Sequence, residues 1–107
     1  MKRILFVCSQ NRLRSPTAER IFAHVSGLVV ASVGLDHDAA VKINADYVVG
    51  SDLIVVMEKS HEMKLMRRFK RYLSGVKVVC LDIPDQYAYM DPELVKILWE
   101  KVPPCLE

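Results

Sequence analysis

Cys8 and Arg14 close the two ends of the stretch Cys8-Ser9-Gln10-Asn11-Arg12-Leu13-Arg14, and Ser15 and Pro16 follow at once. The apolar run Ile4 to Val7 precedes it, and residues with helical spacing come after it, so the stretch is a loop between a strand and a helix. A loop entering a helix N-terminus points several backbone N–H groups into one concavity, where the helix dipole adds partial positive charge. An oxyanion is welcome there. Arg14 would close the ring with a planar fork matched to two phosphate oxygens. A thiol at the base of that cradle lies in a setting that favours the thiolate, so Cys8 can be a nucleophile without a histidine base. Ser15 can donate its hydroxyl to the sulfur, and Asn11 suits a left-handed backbone position in mid-loop. No Gly-Lys-Ser or Gly-Lys-Thr for nucleotide and magnesium is present. The pattern is a phosphate site without nucleotide machinery.

Cleaving a phosphate ester with a thiolate also needs a proton donor for the leaving oxygen. Asp82-Ile83-Pro84-Asp85-Gln86-Tyr87 follows the apolar run Val76 to Leu81 and offers two carboxyls, Asp82 and Asp85. After a cysteinyl-phosphate forms, the same carboxylate would activate a water. The remaining candidates read as structure. Cys80 sits inside an apolar run and is expected to be buried and inert, and Cys105, after two prolines, to be exposed and incidental. His24, His37 and His61 are scattered without zinc-ligand spacing, which predicts surface or helix-capping roles. No metal and no cofactor is expected.

Four short β-branched runs, Ile4 to Val7, Leu28 to Val33, Leu53 to Met57 and Val76 to Leu81, are apolar nearly throughout, as strands buried on both faces are. Between and after them come helical spacings: Ala18, Ile21, Phe22 and Val25; Ala39, Ala40, Ile43 and Tyr47; Met63, Met66, Phe69 and Leu73; and Leu94, Leu98 and Val102. The alternation predicts an α/β fold, three layers doubly wound around a four-stranded parallel sheet, with the phosphate loop after the first strand. Ligands in such sheets sit beyond the carboxyl ends of the strands. Ser15-Pro16 and Asp91-Pro92 read as N-caps followed by proline at the first helical position, and Pro103-Pro104 as a stop. Met57, Met63, Met66 and Phe69 read as core and helix-face packing, and Trp99 as a cover for the sheet edge.

The chain has 107 residues, the size of one domain, 1–107, with 51% apolar and 26% charged residues; disorder as the main state is excluded. No stretch approaches the roughly 18 apolar residues of a membrane span. Three cysteines do not make a disulfide framework, which points to the cytoplasm. The net charge of +2 is too balanced to imply a nucleic-acid partner. The basic stretch from Lys59 to Lys77 is read as a solvated helix face.

Val7-Cys8-Ser9-Gln10-Asn11-Arg12-Leu13-Arg14-Ser15-Pro16-Thr17-Ala18-Glu19 resembles the signature loop of the low-molecular-weight protein tyrosine phosphatases. Ser32-Val33-Gly34 is similar to that family's Ser-Ala-Gly turn. Asp52 to Met57 followed by His61 resembles its third strand and the helix beyond, and Ile83 to Tyr87 its acid loop. The resemblance implies a phosphomonoesterase that hydrolyses phosphotyrosine-like aryl phosphates through a cysteinyl-phosphate. Its substrate would be a phosphorylated protein or a small aryl phosphate. Cys8 would be nucleophile, Arg14 phosphate clamp and Asp85, favoured over Asp82 by position, the general acid and base. Ser9, Gln10, Asn11, Arg12, Leu13, Ser15 and Tyr87 would contact the substrate. The chain departs from the family at Gln10, usually a small Gly; at Arg12, usually apolar; at Leu13, often a second cysteine; and at Gln86, usually Pro. Residues 34–51 form a shorter stretch than the family carries where it walls its aromatic pocket. Three other readings stay open: a cysteine phosphoryl carrier of the sugar-transport type, an arsenate reductase-like enzyme, and a non-catalytic phosphate or RNA binder.

Overall fold

The structure is a computed structural model and describes residues 1–106. Four parallel strands, β1 (Lys2–Cys8), β2 (Leu28–Gly34), β3 (Leu53–Val56) and β4 (Lys77–Cys80), form one sheet in the order β2-β1-β3-β4. Four helices connect and follow them: α1 (Arg14–Phe22), α2 (Ala45–Val49), α3 (Lys59–Phe69) and α4 (Pro92–Lys101). The expected fold class is the one observed.

Because side chains alternate across a strand, β1 and β3 feed two cores. Ile4, Phe6, Cys8, Leu53 and Val55 pack with Ala18 and Phe22 of α1 and with Leu94 and Leu98 of α4. Leu5, Val7, Ile54 and Val56 pack on the other side with Val48 of α2 and with Leu65 and Phe69 of α3. The near-continuous apolar runs in the sequence reflect this two-sided burial. The register sets Cys8 beside Gly34, Val7 beside Val56 and Val56 beside Cys80, so the loops after all four strands leave from one edge of the sheet.

Several local expectations are corrected. Ser15 is not a cap: α1 begins at Arg14 with Leu13 at the N-cap and no side-chain capping bond. The hydroxyl of Ser15 is used by Cys8 and Asn11 instead. Residues Ala39 to Ile43 are not helical. The second helix is confined to Ala45–Val49, capped by the Asn44 side chain, which accepts from the Tyr47 N–H at 3.1 Å. On α3 the buried stripe is His61, Leu65 and Phe69, the i, i+4, i+8 row of a helix, which leaves Met63 and Met66 exposed. Met57 is buried as expected. Trp99 covers the seam between α1 and α4 instead of the sheet edge, with its ring 4.4 Å from that of Phe22. The Asp91 cap and the proline at the start of α4 are as read.

Candidate active site

The loop from Ser9 to Leu13 rises from β1 and turns into α1 around a positive φ of 56° at Asn11, the left-handed conformation that asparagine tolerates better than most residues. The turn brings the loop back over Cys8. Its thiol, 3% exposed, receives a hydrogen bond from the Asn11 N–H at 3.3 Å and lies 2.9 Å from the Ser15 hydroxyl. The Asn11 amide in turn donates to Ser15 Oγ at 3.0 Å. Asn11 and Ser15 thus hold the sulfur and the loop shape from below.

Neighbouring segments lock the loop in place. Leu35 N–H donates to Cys8 O at 3.0 Å, Asp36 N–H to Ser9 O at 2.8 Å and Ala40 N–H to Gln10 O at 2.9 Å. The segment that was expected to be helical supplies the last of these bonds, while its Ala39 N–H goes to Asp36 O and its Ile43 N–H to Gly34 O, so none of the three is left for a helix. Gly34 permits the approach, since a Cβ there would lie 2.6 Å from Ser9 O and 2.6 Å from the Ala39 Cβ. From the other flank, the Ser9 hydroxyl meets His61 Nε2 at 2.9 Å. His61 Nδ1 accepts the Glu58 N–H at 3.2 Å, so the neutral ring carries its proton on Nε2 and donates it to Ser9. Burial, aided by the Arg14 guanidinium, lowers the pKa of His61, which keeps the ring neutral. A surface or helix-capping role was expected of His61; it caps α3 but is buried, and the bond to Ser9 was not expected.

Arg14 is 2% exposed. Its Nη1 donates to Glu58 Oε2 at 2.6 Å and to Ile83 O at 2.7 Å, and its Nε stands 3.7 Å from Asp85 Oδ1. A buried guanidinium needs such partners, and these fix the fork in one orientation beside the thiol. Asp85 is exposed on the loop after β4, near Arg14, whereas Asp82 lies next to Cys80, whose thiol donates to Asp82 Oδ1 at 3.4 Å. Burial raises the pKa of the Cys80 thiol. Both ends of the acid loop are tied: Ile83 N–H donates to Met57 O at 2.8 Å, and Met90 N–H to Thr17 Oγ1 at 2.9 Å. Thr17 also donates to Leu13 O at 2.7 Å, joining the two loops.

These groups surround a cavity of about 390 Å³. Cys8, Ser9, Gln10, Arg12, Leu13 and Arg14 line it from the loop, and Asp36 and Asp85 face them. Asn11 and Ser15 support the wall without lining it. Tyr87 does not join them: it is partly buried against the core beneath α1 and α4. Cys105 is partly buried, with its thiol 3.3 Å from Lys101 O. Among the described residues no group of His, Cys, Asp or Glu is arranged to hold a metal, and no helix is long and apolar enough to cross a membrane. Sequence reading missed Glu58, Asp36 and Thr17. The first two stand just past the ends of β3 and β2, where the rule about carboxyl ends of strands applies equally.

No family model and no curated protein matches the chain at the level of sequence. Solved structures do match it. The arginine phosphatase YwlE of Geobacillus stearothermophilus superposes with a TM-score of 0.77 at 20% identity, covering 97% of this chain and 94% of that one. SP-PTP, a low molecular weight protein tyrosine phosphatase of Streptococcus pyogenes, gives 0.76 at 18% identity over 97% and 93%. The tyrosine phosphatase amsI of Erwinia amylovora gives 0.70 at 26% identity over 92% and 84%. The fold is that of the low-molecular-weight protein tyrosine phosphatases, complete in its four-stranded sheet and in the loop that follows the first strand.

Proposed function

We propose that the protein is a cysteine-dependent phosphatase. The observation that carries this reading is the placing of the Cys8 thiol, the buried Arg14 guanidinium and the Asp85 carboxyl around one cavity, with Arg14 within 3.7 Å of Asp85. The fold shared with the phosphatases above supports it.

In this reading the loop amides and the Arg14 fork bind the phosphate oxygens and hold phosphorus above Cys8 Sγ. The thiolate attacks phosphorus and the S–P bond forms. The bond to the leaving oxygen breaks, and that oxygen takes the proton of Asp85. Asp85, now a carboxylate, then accepts a proton from water as the water oxygen attacks phosphorus. The S–P bond breaks, inorganic phosphate leaves and the thiolate is restored. Ser15, at 2.9 Å from the sulfur, donates to the departing thiolate. Ser9, tied to His61, keeps the loop from shifting during both displacements.

Steady-state hydrolysis of p-nitrophenyl phosphate tests the reading. The native protein is expected to turn the ester over. Cys8→Ser is expected to abolish turnover, and Asp85→Asn to lower kcat by about 10²-fold or more, the usual contribution of a general acid. Native turnover that survives in Cys8→Ser overturns it. A phosphoryl carrier would instead hold phosphocysteine without releasing phosphate.

A further inference from the structure

Resting on the phosphatase reading, we infer that Asp36 is a specificity-determining residue, selecting phosphorylated substrates that carry a positive charge next to the phosphate. The walls of the cavity hold no aromatic ring. Tyr87 is half-buried against the core and does not line the cavity, and Tyr89 lines a different depression beside Pro16 and Arg20. A planar, neutral aryl group would find little to stack on. What stands opposite the phosphate loop is Asp36, with its backbone pinned on both sides: its N–H donates to Ser9 O at 2.8 Å and its C=O accepts from Ala39 N–H at 3.1 Å.

The charge of Asp36 is not spent within the protein. Among the described residues its carboxylate enters no ion pair. The two arginines that line the same cavity are engaged elsewhere, Arg12 with Asp38 O at 3.2 Å and Arg14 with Glu58 and Ile83 O. A bare carboxylate in a phosphate pocket repels a dianion and favours a ligand that brings its own cation. A guanidinium satisfies a carboxylate best, by two parallel hydrogen bonds. With an N-phosphorylated guanidinium, S–P forms as above, P–N breaks in place of P–O with its electron pair going to nitrogen, and the Asp85 proton goes to that nitrogen, which departs as part of a free guanidinium.

The test compares kcat/KM for phosphoarginine and for p-nitrophenyl phosphate in the native protein, Asp36→Asn and Asp36→Glu. Asp36→Asn is expected to lower kcat/KM for phosphoarginine about tenfold, chiefly through KM, the scale of one charge-assisted contact. The aryl ester should be held or improved, and Asp36→Glu should recover part of the loss. An unchanged ratio between the substrates, or an equal loss on both, overturns the inference while leaving the phosphatase reading in place. Failure of the native protein to hydrolyse either compound removes the phosphatase reading itself.

Discussion

Thr17→Val separates the position of the acid from the binding of phosphate. Thr17 is fully buried, and its hydroxyl donates to Leu13 O at 2.7 Å while accepting Met90 N–H at 2.9 Å. Valine keeps the shape and removes both bonds. Leu13 O retains the Thr17 backbone N–H at 3.1 Å, so the cost falls on Met90, which lies at a half-buried position. Two lost bonds at about 0.5–1.5 kcal/mol each, with water reaching one orphaned group, give a loss of about 1–2 kcal/mol. For a chain of this size that lowers Tm by about 5–10 °C. Release of Met90 frees the far end of the acid loop, whereas Arg14 and Ile83 still hold its near end. Turnover of p-nitrophenyl phosphate is therefore expected to fall severalfold in kcat, with inhibition by inorganic phosphate unchanged. Thr17→Ser, which keeps the hydroxyl, should restore kcat. Thermal melts and steady-state kinetics on the three proteins read both effects. A loss of phosphate affinity that matches the loss of kcat, or a Thr17→Ser no better than Thr17→Val, refutes the reasoning.

Gly34→Ala should destabilise the protein by about 1–3 kcal/mol, because the new Cβ would press on the Ser9 carbonyl and on Gln10 C at 2.9 Å; urea melts measure it, and KM for the aryl phosphate should rise as the loop shifts. His61 gives the stability a pH dependence. Its folded pKa is lowered, chiefly by burial, so below the ordinary value of about 6.5 the unfolded chain binds a proton that the folded one refuses. Stability is therefore full above about pH 6.5 and declines as pH falls, by at most about 1.4 kcal/mol per pH unit, until the folded pKa is passed. Urea melts across this range on the native protein and His61→Gln should show the decline only in the former.

The sheet was legible because strands buried on two faces cannot be disguised: Ile4 to Val7 and Leu53 to Met57 have no polar alternation to misread. The thiol and the arginine were legible for a related reason, since a phosphate loop is a local structure whose parts lie within one stretch of chain. What spacing could not convey is contact made across the sheet edge. Ala39 to Ile43 carry helical periodicity, yet Ala40 N–H goes to Gln10 O of the phosphate loop and Ile43 N–H to Gly34 O at the end of β2, a tertiary preference that outweighs propensity. Met63 and Met66 read as core and helix-face packing because apolar residues three apart fit a helical row, but the row beginning at His61 is the one that faces the sheet. His61 looked like a solvated polar residue and is buried because both ring nitrogens find partners. Asp36 and Glu58 carried no motif at all. Only the fold shows that they face the cavity and the arginine.

Rapid acid quench during turnover of p-nitrophenyl phosphate, followed by mass analysis of the peptide containing Cys8, tests the central claim most directly. The expected result is one phosphoryl group on Cys8, formed and lost at the rate of turnover and accumulating in Asp85→Asn when water attack becomes the slow step. Turnover with no phosphoryl group on Cys8, or with the label on another residue, contradicts it.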